Sequence, residues 1–294
     1  MRTPSRLAAF AGALGLVFGA AALVGASVDP LRDSDEPHGH ETERSAGHGV
    51  AHELSSARSD SVEQAPGLAI AQGGYRLEPE ATALPRGRDA ELAFRIVGPG
   101  GAAVTDFEVE HERRMHLIVV RRDLTGFQHL HPTMDAGGRW GVRLRLPEAG
   151  VYRAYADFRA GGRSLTLATD LVVRGPFMPR ALPASAPTDT TAGYTAGLVA
   201  GRLGAGADAE LAYDIRRDGA PVDDLEPYLG ADGHLVALRE GDLAFLHVHP
   251  EESSTPGRIR FGASLPSAGN YRLFLQFTHD GAVRTVAHTV EVPR

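Results

Sequence analysis

Apolar and polar residues change places over short distances through most of this chain. Ala90 to Val97 mixes alternation with β-branched and aromatic residues. Further short apolar runs cover Met115 to Arg121, Phe127 to His131, Trp140 to Leu146, Val151 to Phe158 and Leu165 to Arg174. Turn residues separate them, which is the pattern of strands. Pro147-Glu148-Ala149-Gly150 and Pro266-Ser267-Ala268-Gly269 are tight-turn sequences between strands. No apolar period of about 3.6 residues runs far enough for a major helix.

The pattern occurs twice. Gly74-Tyr75 recurs as Gly193-Tyr194, and Glu91 to Phe94 recurs as Glu210 to Tyr213. Leu146 to Arg153 recurs as Leu265 to Arg272. The offset is 119 at these places and 118 between them, so the copies differ by a one-residue indel. Two modules follow, over 67–178 and 193–294, joined by a Pro/Ala/Thr-rich linker over 179–192. Roughly seven strands in about 100 residues, with a turn every 8–12, predict an all-β chain of two tandem immunoglobulin-like β-sandwich modules. A small barrel is the alternative for each.

The N-terminus departs from this pattern. Arg2 and Arg6 precede an apolar stretch from Leu7 to Val28. A basic start followed by an apolar run reads as a signal peptide cleaved near Ala26. The run is also about as long as the roughly 20 residues needed to cross a bilayer, so residues 7–28 fit a membrane anchor equally well. Both readings place the rest outside the cytoplasm, secreted or anchored to the cytoplasmic membrane, because the arginines stay inside. Residues 29–66 are acidic and poor in large apolar side chains, with nine acids against three arginines. They read as a disordered linker. Its His38, His40, His48 and His52 could collect metal ions weakly.

Composition narrows the chemistry. Cysteine is absent, which excludes disulfides, iron–sulfur clusters and thiolate metal sites. The formal net charge is −7 and no basic surface stands out, which argues against a nucleic-acid partner. The sequence names no protein partner. It contains no Gly-x-Ser-x-Gly elbow, phosphate loop or dinucleotide fingerprint.

Histidines carry the remaining signal. At the 118 offset His116 matches His234, His129 matches His247, His131 matches His249, and Pro132 matches Pro250. Residues i and i+2 of a strand point to one face. His129 and His131 are therefore expected to project together, as are His247 and His249, with His116 or His234 as third ligand from the preceding strand. Imidazole nitrogens bind such ions at about 2.0–2.1 Å. The expectation is one site per module for a divalent transition metal, with copper first and zinc second. Cu(I) would prefer sulfur, which Met115 and Met134 could supply in the first module alone. Gln276 stands where the first module has Asp157. Asp157 is either a ligand or acceptor for a histidine nitrogen, or a strand carboxylate paired with arginine. His288 reads as a surface residue of the last strand.

Met115 to Pro132, followed by Gly150 to Arg153 and Ala156 to Phe158, resembles a group of uncharacterised exported actinobacterial proteins sometimes labelled heavy-metal-associated or secreted. The resemblance covers both modules and implies export and metal handling. More distantly, the layout looks like the immunoglobulin-like periplasmic copper-resistance carriers, although their N-terminal histidine ligand is not recognisable. Gly241, His247 and His249 resemble the start of a cupin motif, but its glutamate is missing. Phe245 to His249 is similar to a strand of copper–zinc superoxide dismutase without that family's other ligands. Three functions stay open: a metal carrier or buffer, a structural or adhesive protein whose histidines brace the fold, and a mononuclear metalloenzyme with an open coordination position.

Overall fold

A computed structural model describes residues 65–293 other than His247. The export or anchor segment, nearly all of the acidic linker and the ligand expected at His247 lie outside the described residues. No helix among the described residues is long and apolar enough to cross a membrane.

The first module holds ten strands: β1 (Ala71–Gln72), β2 (Tyr75–Pro79), β3 (Ala83–Leu84), β4 (Asp89–Val97), β5 (His116–Arg121), β6 (Gln128–Leu130), β7 (Thr133–Met134), β8 (Arg139–Arg145), β9 (Gly150–Ala160) and β10 (Arg163–Val173). They form two sheets, ordered β1-β2-β4-β8-β7 and β3-β10-β9-β5-β6. Alternate residues of the two sheets meet in a core that includes Phe94, Phe107, Trp140, Leu144, Phe158 and Leu167. Phe107 stacks edge-on against both Trp140 (5.1 Å) and Phe158 (5.5 Å).

The second module repeats the plan with β11 (Thr188–Thr191), β12 (Tyr194–Ala200), β13 (Ala207–Arg217), β14 (Ala220–Pro221), β15 (His234–Arg239), β16 (Phe245–Leu246), β17 (Val248–Glu251), β18 (Arg258–Leu265), β19 (Gly269–His279) and β20 (Ala282–Val292). Its sheets run β11-β12-β13-β18-β17 and β16-β15-β19-β20. The chain is thus all-β, two tandem immunoglobulin-like sandwiches. Threonine is a good strand residue, and the threonines of β11 draw the end of the expected linker 179–192 into a ladder with β12. The long β19–β20 hairpin closes through Asp280 and Gly281, both at positive φ (51° and 65°), the turn whose twist matches that of the flanking strands.

The modules are not beads on a string. The described residues fall in one compact unit. A third apolar cluster lies between the modules and is built from the outer faces of two sheets. The first module contributes Ile118, Val120, Leu124, Tyr155 and Ala168; the second contributes Val236, Leu238, Leu243, Phe245 and Phe274. Phe127 stacks flat on Phe274 at 4.2 Å. Across this seam the Tyr155 hydroxyl donates to the Leu243 carbonyl (2.7 Å), and the Phe245 amide donates to the Pro66 carbonyl (2.9 Å). Gly67 sits between the two at φ +72°, where a Cβ would come within 2.7 Å of the Tyr155 ring.

The seam explains β5. All six of its residues are buried. Leu117 and Val119 face the module's own core, while Ile118 and Val120 face the seam. Strands covered on both sides read as unbroken apolar runs, and Leu117 to Val120 is such a run.

Candidate metal centre

Side-chain alternation decides where the histidines point. His116 opens β5 on the parity of Ile118 and Val120, so it faces the seam rather than the module core. β6 pairs with β5 so that His129 lies opposite Ile118, on the same face. His131 follows the end of β6. In the second module His234 opens β15 on the parity of Val236 and Leu238, and it too faces the seam.

The first three therefore converge. One nitrogen each of His116, His129 and His131 lies within 4.8 Å of the others. The separation between His116 Nδ1 and His129 Nε2 is 3.0 Å. The remaining nitrogen of each ring is committed outward. His116 Nε2 lies 3.1 Å from the Glu110 carbonyl oxygen, and His129 Nδ1 lies 2.7 Å from the Gln276 side-chain oxygen. A tight turn brings the Glu110 carbonyl into place. Glu110 and Arg113 exchange backbone hydrogen bonds, and His111 and Glu112 between them both adopt positive φ (46° and 63°). Non-glycine residues take up that conformation at some cost.

These contacts set the proton positions. Carbonyl oxygens only accept hydrogen bonds, and a neutral imidazole carries one N–H. With the Gln276 oxygen toward His129, the outer nitrogens hold the protons. The inner pair, His116 Nδ1 and His129 Nε2, then turns two bare lone pairs toward each other at 3.0 Å. With the amide so placed, a cation relieves that arrangement, either an added proton or a metal ion; turning the Gln276 amide over relieves it without one. Burial opposes the proton. It lowers the His129 pKa to about 3, helped by His116, and that of His131 to about 4, again helped by His116. His116 is also shifted down by burial, against the pull of its bond to Glu110. The cluster is thus a set of neutral imidazoles, the form that binds metals. His131 Nε2 is buried and has no hydrogen-bond partner among the described residues.

Of the second set of expected ligands, His234 and His249 are described. His234 lies against the first module's histidines. Its ring is 4.8 Å from that of His129 and stacks on His116 at 5.7 Å with 9° between planes. Burial, then His129, pushes its pKa well below the ordinary value. His249 is exposed and lines a cleft of about 510 Å³ with Glu110, His111, Asp157, Ser164 and Val248. Asp157 sits across from His116 on β9 and accepts a hydrogen bond from Thr166 (2.7 Å).

Three expectations change. Met115 is buried in the first core and Met134 packs against it, so the sulfurs proposed for Cu(I) serve the core. His288 is buried rather than a surface residue. It shares the inward face of β20 with Val286, Val290 and Val292, and its ring meets Tyr213 at 5.4 Å. Gln276 was visible only as the counterpart of Asp157, yet it holds His129. The available signal was a lone polar residue inside the apolar run Leu273 to Phe277.

Residues 70–175 and 189–294 each match one family model, described as a domain of unknown function (DUF8832). The chain belongs to this family. No curated protein matches it. The tandem DUF8832 domains are similar in fold to several solved structures. The Escherichia coli adhesin FdeC is 15% identical, with 77% of this chain and 66% of that one covered and a TM-score of 0.27. Salmonella alpha-2-macroglobulin reacted with methylamine is 12% identical over 77% of this chain and 15% of its own, at 0.28. Invasin, a bacterial integrin-binding protein, is 12% identical over 74% and 39%, at 0.23. The chain thus spans less than two thirds of each of these structures, and likeness at this level concerns the fold alone.

Proposed function

We propose that this protein binds a divalent transition-metal ion, copper or zinc, outside the cytoplasm, with His116, His129 and His131 as ligands. The observation that carries the reading is the pair of ring nitrogens 3.0 Å apart, with the other nitrogen of each ring against a carbonyl oxygen. Metal-bound histidines characteristically donate their other N–H to such an acceptor, which fixes tautomer and ring orientation. An all-nitrogen set suits Cu(II) or Zn(II). The apolar stretch behind Arg2 and Arg6 supports location outside the cytoplasm, secreted or held at the membrane by residues 7–28. A carrier or buffer role follows the resemblance to copper-resistance carriers.

Calorimetric titration of the tag-free, chelator-stripped chain with Cu(II) and Zn(II) tests this. The expected result is a tight site that disappears in His129→Ala. No binding tighter than ~0.1 mM, about −5.5 kcal/mol, overturns the reading.

One observation favours a second reading, in which the protein is a structural or adhesive pair of immunoglobulin-like modules and the histidines brace the seam. Gln276 also contacts the Thr285 hydroxyl (3.3 Å). With its amide turned over, an unbroken chain of neutral donors runs from Thr285 through Gln276, His129 and His116 to the Glu110 carbonyl. That chain needs no metal. The same titration separates the two.

A further inference from the structure

Resting on the metal reading above, the packing of the modules bears on how their histidines are shared. His116 and His234 are equivalent positions of the repeat, each the first residue of equivalent strands. The seam is formed by equivalent faces: Ile118 and Val120 of one module and Val236 and Leu238 of the other. Packing through the same face on both sides is the arrangement of an isologous dimer, here within one chain. Side chains near the axis of such an interface meet their own counterparts. His116 and His234 do so, stacked with 9° between ring planes.

The first module's cluster is therefore incomplete without the second module. Gln276 of β19 holds the outer nitrogen of His129, and the His234 ring lies as close to His129 (4.8 Å) as His131 does (4.8 Å). His234 is thus in ring contact with both inner ligands.

We propose that the chain carries one metal centre shared by its two modules, with His116, His129 and His131 from the first and His234 from the second, and that the ion clamps the modules together. A closed set of four nitrogens is the pattern of a structural metal site. Such an ion stabilises the folded chain in proportion to its occupancy.

The test uses the full chain, stripped with chelator and loaded with Zn(II) or Cu(II) in the presence of a weak chelator that removes loosely held ions. Native mass spectrometry is expected to count one tightly held ion per chain. His234→Phe keeps a stacked ring and removes its nitrogens. It is expected to lose roughly 10- to 100-fold in Zn(II) affinity with an unchanged circular dichroism spectrum. Electron paramagnetic resonance of the wild-type Cu(II) form supplies a readout that needs no variant, with hyperfine structure from four nitrogens expected. Two tight ions per chain would overturn the proposal. So would three coordinating nitrogens, or undiminished affinity in His234→Phe; in those cases the metal reading survives and the sharing does not. No tight binding at all removes both.

Discussion

His129 and Gln276 belong to different modules, yet His129 Nδ1 and the Gln276 side-chain oxygen lie 2.7 Å apart. The contact ties the short edge strand β6 of one sandwich to the long strand β19 of the other. It also makes the protonation of a candidate ligand depend on a residue 147 positions away.

That dependence separates metal binding from bracing. Gln276→Glu, when ionised, presents only acceptors, so it is expected to retain or tighten Zn(II) binding. Gln276→Leu removes the acceptor and is expected to weaken binding by roughly 10- to 100-fold. Competition titration against a chelator of known affinity reads both. A stabilised metal-free Gln276→Leu with unchanged zinc affinity would leave the glutamine without a role at the centre.

Acid is expected to destabilise the metal-free protein in a defined window. His129 and His131 are held at about 3 and about 4, mainly by burial, whereas the unfolded chain protonates them near the ordinary histidine value of roughly 6.5. As pH falls below that value the unfolded state binds protons that the native state refuses. Stability is therefore complete above the unfolded pKa and declines toward the folded values. Asp123 behaves separately. Burial alone would raise it, but Arg121, the Arg180 amide and Thr125 hold it at about 2. Its contribution is lost only below roughly pH 4, the ordinary aspartate range. Denaturant midpoints at pH 7.5 and pH 5 should thus differ because of histidine, and His129→Phe should narrow the difference. Equal midpoints would contradict the burial of these rings.

The seam is expected to make the two modules unfold together. Val236 is fully buried between them. A charge there loses its hydration without a partner, so Val236→Glu is expected to separate the modules and split one calorimetric transition into two. Val199→Glu, at an exposed position of β12, is the control and should leave a single transition.

Tyr213 offers a stabilising change. Its ring packs on Phe261 and His288, and burial drives its pKa upward. Its hydroxyl has no hydrogen-bond partner among the described residues. Tyr213→Phe removes an unsatisfied buried group and keeps the ring, so stability should rise by about 1 kcal/mol. A urea midpoint measures it, and a drop in midpoint would show that the hydroxyl is satisfied after all.

The sequence by itself determined the strands, the repeat and the histidine set, because each is written locally. Alternation, turn residues and matched offsets need no knowledge of distant contacts. It also placed His116 and His129 on adjacent strands, since strand order within a repeated sandwich follows from short connections. Only the tertiary structure decided which face those strands bury. β5 has two buried faces, and nothing within one module says that the second face meets the other module. That packing turned His234 toward His116, placed Gln276 behind His129, and sent Met115 into the core by the same parity that put His116 at the seam. A site on an interface depends on two sheets meeting, and the residues that make them meet are apolar ones that read, along the chain, like any other core.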